Sequence, residues 1–522
     1  MENNSKNKKE TIISMMVLIF LIAISVWYAY KIGLLFCGYY FADDHEIARL
    51  HGGIVRDGLF KTMQLWIVAD TNLRFRPVYW IFRVMEAYIC GTHIVLWHLI
   101  KACEIGFCAW VGYVFARKMH VPHVAAFLFG VVGFFGSQCA VVYRLGPQEP
   151  LALIWMFMGL ICLVKDVEQR ERFRGWRIGF HICMTIMMLT KESFLILIPI
   201  FLFFIFILEL QQMHNSDRTC REIIKLYLKK YVVDIIYELI VFAVCMGVII
   251  LHSGVSSTGY AGLDASYTLR DYFNGMWKVW TGDLLPYSIL LIIFMGVNIC
   301  LSIVYHKDKK FLLSRLCEIV FVLYFVLSQS LLHAKTGMSE RYLFPCITGI
   351  FIYVFCMSIP LWADLVGKRC ITTWTIEGLL AVWAMGMIFS SQFHALCLNY
   401  VFTCSNNTQM LIRLSELAEQ NGGKDCRMIV STPYGEWNLA ISAFMEELYD
   451  IDYVYSLSQT SSTDQAVDRY MVKGETQETI SLSDADIFIA QQEFLPEKMR
   501  ACGIEYTQLQ QEIFGNYMIF IK

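Results

Sequence analysis

Long apolar runs alternate with short polar segments along the first three quarters of the chain. A helix needs ~20 apolar residues to cross the hydrocarbon core of a bilayer, and about eleven runs between residues 11 and 393 approach that length. This pattern predicts an all-α polytopic membrane domain over residues 1–395 and excludes a single globular core. The predicted spans are 12–36, 94–116, 121–138, 149–164, 177–190, 193–210, 232–252, 287–305, 316–332, 342–361 and 372–394.

The spacing of apolar residues along the chain changes beyond residue 395. Short apolar stretches typical of strands alternate with segments whose apolar residues recur at helical spacing. This alternation predicts a small α/β domain over residues 396–522. The predicted strands are 428–430, 453–455 and 486–490, and the predicted helices are 409–420, 437–449 and 493–502.

Composition supports the membrane prediction. Hydrophobic residues make up 57% of the 522 residues and charged residues only 17%, whereas about a quarter of a soluble domain is charged. The tail domain holds 18 Asp/Glu against 8 Lys/Arg, and residues 1–395 hold 27 against 35. A basic membrane body with an acidic tail gives no electrostatic footprint for nucleic acid, so we expect none as a partner.

Charge asymmetry between the loops predicts the orientation. Lysines precede the first span at positions 6, 8 and 9, and segment 165–177 holds five Lys/Arg. Cytoplasmic loops collect such residues, so the N-terminus is predicted to be cytoplasmic and the tail domain extracytoplasmic. The first span is too long for a signal-peptide core and is interpreted as a retained anchor. The predicted location is a bacterial plasma membrane.

An acidic pair follows the first span directly. Asp43 and Asp44 lie at the outer bilayer surface, where adjacent carboxylates can share a site that accepts a proton or jointly holds a divalent cation such as Mg²⁺ or Mn²⁺. A solvated loop start is the alternative. The stretch 47–68 that follows has apolar residues at helical spacing, which predicts one helix lying in the interface.

A cationic group comes next. Arg74 and Arg76 precede Pro77, and the arginine fork suits a phosphate while a proline can begin a helix whose amino end also favours an anion. Contact with lipid headgroups is the alternative.

Three further outer segments carry charges near the membrane surface. Arg144 and Glu149 flank a Gly-Pro turn, and Arg144 is the nearest candidate partner for Glu149. Lys191 and Glu192 separate two short apolar runs. A structural ion pair and a snorkelling pair explain these segments as well as substrate contacts do.

The last segment places Arg341 and Tyr342 at the outer start of a span, where an interfacial anchor is the alternative. Within the second span, Lys101 and Glu104 lie one turn apart and are interpreted as a structural pair.

Together these motifs resemble the polytopic GT-C glycosyltransferases that use polyprenyl-phosphate sugars, the superfamily of protein O-mannosyltransferases and aminoarabinose transferases. The resemblance covers roughly the first 395 residues. Many relatives carry Asp-Glu where this chain has Asp-Asp. The residues that carry the resemblance are Asp43, Asp44, Arg74, Arg76, Pro77, Tyr79, Trp80, Lys191, Glu192, Arg341, Tyr342 and Pro345.

The resemblance implies an inverting sugar transfer. Asp43 would deprotonate an acceptor hydroxyl, and Asp44 would orient the hydroxyl or a metal ion. Arg76 and Arg341, then Lys191 and Arg74, would stabilise the departing lipid phosphate, where negative charge grows in the transition state.

The same resemblance implies the partners. Glu149 would bind sugar or acceptor, and the acceptor is a glycan, a lipid or a protein that reaches the outer membrane face. Membrane lipid surrounds the chain, and no cofactor is certain beyond the divalent cation considered above. A non-catalytic carrier of a lipid-linked saccharide, or a sensor with an extracytoplasmic ligand domain, is the alternative function.

Overall fold

The fold is predominantly helical. The structure, a computed structural model, describes residues 2–71, 74–169, 175–212, 219–253, 266–304, 309–335, 337, 340–365, 370–389, 391–432, 434–457, 465–468, 479–491 and 509–522. The α-helices are α1 (Glu2–Lys31), α2 (His45–Asp57), α3 (Leu59–Thr71), α4 (Pro77–Cys90), α5 (Ile94–Lys118), α6 (His123–Val132), α7 (Ala140–Tyr143), α8 (Glu149–Gln169), α9 (Gly175–Thr190), α10 (Ile198–Gln212), α11 (Cys220–Ser253), α12 (Leu269–Thr281), α13 (Leu285–Val304), α14 (Lys309–Leu332), α15 (Phe344–Phe351), α16 (Ile359–Leu365), α17 (Cys370–Ile388), α18 (Ser391–Gln420) and α19 (Gly435–Tyr449).

Strands occur in the tail domain. The strands are β1 (Met428–Ser431), β2 (Val454–Ser456), β3 (Gln465–Asp468), β4 (Thr479–Ser481), β5 (Ile487–Gln491), β6 (Gln510–Phe514) and β7 (Tyr517–Ile521). The predicted polytopic helical protein with a small C-terminal α/β domain is confirmed.

The number of spans differs from the predicted eleven. Nine helices of the described residues are long and apolar enough to cross a membrane, or up to ten if His123–Val132 and Ser137–Tyr143, bent by 70°, form one broken span. The predicted span 177–190 is the remaining difference. It corresponds to α9, which has 16 residues, fewer than a full bilayer crossing requires.

Helix α9 nevertheless runs back along most of α8. Lys191, directly after α9, pairs with Glu149 at the start of α8, with 3.3 Å between Nζ and Oε1. At the other end, Arg177 pairs with Asp166 at 3.4 Å. Both ends of the two helices therefore coincide, and Glu149 and Lys191 meet at one end of the bundle.

The outer segment after α1 is built from three short helices. The single helix predicted over 47–68 is wrong, because Gly58 ends α2 and α3 begins immediately afterwards. Gly58 has a φ of 82° and its N–H donates to the Ile54 carbonyl at 2.9 Å. Glycine adopts this left-handed conformation without the steric cost that other residues meet, so the chain bends there.

The tail domain contains a seven-stranded mixed sheet in the order β4-β3-β2-β1-β5-β7-β6. Strand β1 pairs in parallel with β2 and β5, and the other four pairings are antiparallel. The three predicted strands are confirmed as β1, β2 and β5, and the predicted helix over 437–449 is α19. The predicted helix 493–502 lies outside the described residues.

The tail domain and the outer segment share one hydrophobic core. Phe41 and Leu50 are buried in the same cluster as Phe444 of α19 and Ile519 of β7. Helix α18 is continuous across residue 395 and leads directly into the sheet, while the division at 395/396 remains a prediction. Because the two parts bury apolar side chains together, the sheet is held against the residues that follow α1.

Candidate functional site

A small polar cavity lies where α8 begins and α9 ends. It has about 30 Å³ of space open to water. Four cationic and three carboxylate side chains contribute to its wall, so the wall carries an excess of positive charge when all of them are ionised. The lining residues are Asp43, Glu46, Arg74, Arg76, Tyr79, Gly146, Pro147, Gln148, Glu149, Lys191 and Arg341.

Six residues selected from the sequence thus meet in one place, although they are as much as 298 positions apart. Asp43 lies in the turn before α2, and its Oδ2 accepts a hydrogen bond from Nη1 of Arg341 at 2.9 Å. Asp43 has a φ of 74°, a left-handed conformation that is uncommon outside glycine. This conformation directs its side chain into the cavity.

The ion pair controls the ionisation of Asp43. Desolvation in the cavity opposes the charged form, but the Arg341 guanidinium outweighs it and lowers the pKa of Asp43 to about 2. Asp43 is therefore a carboxylate at neutral pH, and it stays a weak base for as long as Arg341 holds it.

Asp44 does not share this site. Its side chain is buried, with 1% of the residue exposed, and its Oδ2 accepts a hydrogen bond from the Tyr40 backbone N–H at 2.8 Å. Burial raises the pKa of Asp44 to about 7. The two neighbouring acids therefore have different environments, and Asp44 stabilises the turn that presents Asp43.

Glu46 is a cavity residue that the sequence selection missed. Its Oε2 accepts a hydrogen bond from the Tyr79 hydroxyl at 3.1 Å and lies 4.0 Å from Nε of Arg83. Burial, and after it the charge of Asp43, raises the pKa of Glu46 to about 7. Spacing gives the one signal that would have found it, because Glu46 lies three residues after Asp43 and so about one helical turn away.

The Arg-x-Arg-Pro stretch lies at the start of α4, as predicted. Pro77 is the first residue of the helix. Arg76 is 5% exposed and donates two hydrogen bonds to the carboxylate of Asp70, at 2.7 and 2.9 Å. Its Nε is also 4.0 Å from Oε2 of Glu192. Two carboxylates therefore hold the guanidinium at the cavity wall, where it faces any anion that enters.

The partners of Glu149 and Arg144 differ from the prediction. Glu149 pairs with Lys191, whereas Arg144 pairs with Glu340 at 3.0 Å and stacks over the Tyr40 ring at 5.1 Å. Arg144 is not in the cavity wall. The Gly-Pro turn places these two side chains on opposite sides, so the Arg144–Glu149 pair expected from sequence proximity is wrong.

Glu149 keeps a free acceptor. The residue is 1% exposed, and its Oε2 accepts no hydrogen bond from the described residues. A buried carboxylate oxygen without a hydrogen bond is costly, and Glu149 is one of the residues that line the cavity.

Tyr342 supports the cations from behind the cavity. Its ring stacks on His333 with centroids 4.7 Å apart, and Arg341 and Lys191 lie 5.2 and 5.8 Å from the ring centre. Contacts of this kind orient cations above an aromatic face. Tyr342 acts on the position of the two cations and does not line the cavity.

The tail domain reaches the same turn. Oε1 of Glu436, in the first turn of α19, accepts a hydrogen bond from the Asp43 backbone N–H at 3.3 Å. Burial raises the pKa of Glu436. No motif in the sequence pointed to this contact, because it joins residues 393 positions apart.

Joint binding of a divalent cation by Asp43 and Asp44 stays a prediction. No group of three or more His, Cys, Asp and Glu side chains within the described ranges could hold a metal ion. Asp43 is paired with Arg341, and Asp44 is buried away from the cavity. The two carboxylates therefore lie in different environments.

The structure of this chain is similar to structures of known proteins. No family model and no curated protein matches this sequence. The chain is similar to ArnT from Cupriavidus metallidurans in the apo state, with a TM-score of 0.48 and 12% identity over 99% of this chain and 98% of that one. It is also similar to the apo oligosaccharyltransferase of Archaeoglobus fulgidus, with a TM-score of 0.45 and 12% identity over 82% of this chain and 64% of that one.

One of these similar structures is an ArnT and the other is an oligosaccharyltransferase. At this identity and TM-score they assign neither a substrate nor a catalytic residue to this chain. The roles of its residues therefore depend on the geometry of the cavity.

Proposed function

We propose that this protein is a membrane glycosyltransferase that moves a sugar from a polyprenyl-phosphate donor to an acceptor hydroxyl, with inversion at the anomeric carbon. The observation that supports this most is the cavity itself, in which Asp43 directly contacts Arg341 and shares a wall with Arg74, Arg76 and Lys191. A carboxylate beside several fixed cations suits a reaction that needs both a base and a receptor for phosphate.

The donor phosphate would bind among the four cations. Arg76 is already fixed by Asp70, so its orientation costs little on binding. When the bond between the anomeric carbon and the phosphate oxygen breaks, its electron pair stays on that oxygen. The added negative charge is stabilised by the same guanidinium and ammonium groups.

Binding of the donor would also activate the base. A phosphate that recruits Arg341 weakens the Arg341–Asp43 pair, and loss of that pair raises the pKa of Asp43 from about 2 toward its ordinary range. Asp43 can then take the proton of the acceptor hydroxyl as its oxygen bonds to the anomeric carbon. The base is thus released when a donor is present.

Two carboxylates remain for the sugar and the acceptor. Glu149 has a free acceptor oxygen, and Glu46 carries a raised pKa next to Asp43. Groups of this kind hydrogen-bond to sugar hydroxyls. The acceptor is a glycan, a lipid or a protein, which would approach from the side on which α19 contacts Asp43.

The direct test uses membranes that contain the protein and a panel of polyprenyl-phosphate sugars. We expect release of polyprenyl phosphate with one donor, and loss of that release in Asp43→Asn protein present at the wild-type level. Absence of turnover with every donor, from well-folded protein, would instead support the carrier or sensor function.

A further inference from the structure

A second cavity lies at the end of the bundle opposite the candidate site. It has about 570 Å³ of space open to water, within the usual range of ligand sites. The C-terminal ends of α5, α8 and α10 and the N-terminal end of α14 form its mouth. Helix α8 begins at the candidate site, and its C-terminal end lines this second cavity. The two cavities are therefore separated by about the length of α8.

The cavity is amphiphilic. Its interior is apolar, with Val164 and Leu208 among the wall residues, and Lys118, Glu168 and Arg315 lie among its polar lining residues. Neighbouring cations beside apolar walls favour a ligand that has a negative head and a hydrocarbon chain.

Arg315 is the strongest indication of a ligand. It is 8% exposed, and its Nη2 lies 2.7 Å from Oε1 of Glu318, which also accepts a hydrogen bond from Gln211 at 2.8 Å. Its Nε and Nη1 have no hydrogen-bond partner among the described residues. A buried guanidinium with unsatisfied N–H groups is costly, and a phosphate can accept from two of them at once.

One wall is an irregular helix. Ile352–Ser358 forms seven residues of π-helix between α15 and α16, and Met357 of this segment lines the cavity. Asn298 stabilises the segment by donating to the Tyr353 hydroxyl at 2.7 Å and to Ser358 Oγ at 2.8 Å. Insertions of this type are frequent at functional sites.

We propose that this second cavity binds one phosphate-headed anionic lipid, with the phosphate on Arg315 and a chain along the apolar wall. The ligand is a phospholipid of the adjacent leaflet or a free polyprenyl phosphate, which share this chemistry. The site is separate from the transfer reaction, so it can be tested independently of the proposed function.

The test titrates delipidated, detergent-solubilised full-length protein with phosphatidylglycerol, phosphatidylcholine or polyprenyl phosphate and counts bound lipid by native mass spectrometry. Val164→Phe narrows the cavity at its apolar wall without changing its charge, and Arg315→Gln removes the head contact. Val320→Phe is the matched control, because Val320 is 54% exposed on the outer face of α14.

We expect one phosphatidylglycerol to bind the wild-type and the Val320→Phe protein. Its affinity for Val164→Phe and for Arg315→Gln should be lower by about tenfold or more, because the first variant loses space for the lipid chain and the second loses a charge-assisted contact. If polyprenyl phosphate displaces phosphatidylglycerol from the wild-type protein, the ligand is polyprenyl phosphate. If it does not, the ligand is a phospholipid. Arg315→Gln also removes the cationic partner of Glu318, which keeps its hydrogen bond from Gln211. The double variant Arg315→Gln/Glu318→Gln is therefore measured as well.

Equal binding of phosphatidylglycerol and phosphatidylcholine by wild type would overturn the proposal. So would unchanged phosphatidylglycerol binding by the folded Val164→Phe protein. Transfer activity that persists in Val164→Phe while lipid binding is lost would show that the two sites are independent, as proposed.

Discussion

At the scale of single residues, the neighbouring acids Asp43 and Asp44 lie in different environments because Asp43 has an unusual backbone φ angle. The left-handed φ of Asp43 directs its carboxylate to Arg341, whereas Asp44 remains buried and accepts a hydrogen bond from the Tyr40 backbone. Their pKa values consequently move in opposite directions, to about 2 and about 7.

The first prediction concerns the base. Asp43→Asn should lower kcat by ~10²–10⁴, the usual contribution of a general base, because an amide cannot accept the proton. The measurement is polyprenyl phosphate release at saturating donor. Asp57→Asn, a surface change in α2 that removes a pair with Lys61, is the matched control and should keep full activity. A variant at position 43 with more than about a tenth of wild-type activity would contradict the role.

The second prediction concerns Glu46 and pH. Its folded pKa of about 7 lies above its ordinary value of 4.5, so the folded protein binds this proton more tightly than the unfolded chain. The stabilisation is complete below pH 4.5 and is lost as the pH rises to about 7. Glu46→Gln should therefore be more stable than wild type above pH 7, by about 3 kcal/mol, with little difference at pH 4.5.

Thermal unfolding in detergent at several pH values measures that difference. Asp44 also has a raised pKa, but it is present in both proteins and cancels in the comparison. Glu416→Gln, a change at a largely exposed side chain, should show no such trend. A difference between wild type and Glu46→Gln that does not vary with pH would refute the assignment.

At the scale of elements, the turn between α7 and α8 closes one wall of the cavity. A Cβ atom on Gly146 would lie 2.5 Å from both Cβ and Oδ2 of Asp43, closer than side chains can approach. Glycine is therefore required there by the proximity of Asp43.

The third prediction follows from this contact. Gly146→Ala should displace the Asp43 carboxylate and reduce kcat by ~10–100-fold, since a shift of about 1 Å in a reacting group costs up to ~10²-fold. Gly296→Ala in α13 is the control, because no heavy atom lies within 4 Å of its added Cβ. Steady-state turnover of both variants checks it, and equal activities would show that the turn does not position Asp43.

Pairing of helix ends also determines which charges meet. Because α9 returns along α8, Lys191 reaches Glu149 although the two are 42 positions apart in sequence. The apolar run over 177–190 predicts this return, but it does not predict that Lys191 contacts Glu149.

At the scale of the whole molecule, the tail domain fixes the outer segment that carries Asp43 and Glu46. Arg56 of α2 donates to both carboxylate oxygens of Glu447 in α19, at 2.7 and 2.9 Å. The Glu447 side chain is 7% exposed and the Arg56 side chain 36%, so the pair joins the two helices at the edge of their contact.

The fourth prediction tests this contact. Glu447→Gln should lower the free energy of unfolding by ~1–3 kcal/mol, because it weakens a charged hydrogen bond to a buried group. We expect the transfer rate to fall as well, since α2 loses an anchor. Glu416→Gln, at an exposed pair with Arg413, should change stability by less than ~0.5 kcal/mol. Denaturant titration and turnover measure both effects, and equal stability losses in the two variants would contradict it.

Much of the candidate site was predictable because its residue types are rare near apolar spans. Asp43, Arg76, Lys191 and Arg341 were selected on that ground, and all four line the cavity. Glu46 was not selected, because one more acid in a polar outer segment does not stand out from its neighbours.

The sequence by itself determined the apolar spans, the change of period at the tail and the charged segments at one end of the bundle. Those features depend on local composition and spacing, which need no knowledge of distant contacts. Only the tertiary structure decided which charges pair. It joins Asp43 to Arg341, Glu149 to Lys191 and Arg144 to Glu340, because helix packing and one left-handed turn bring together residues that are far apart along the chain.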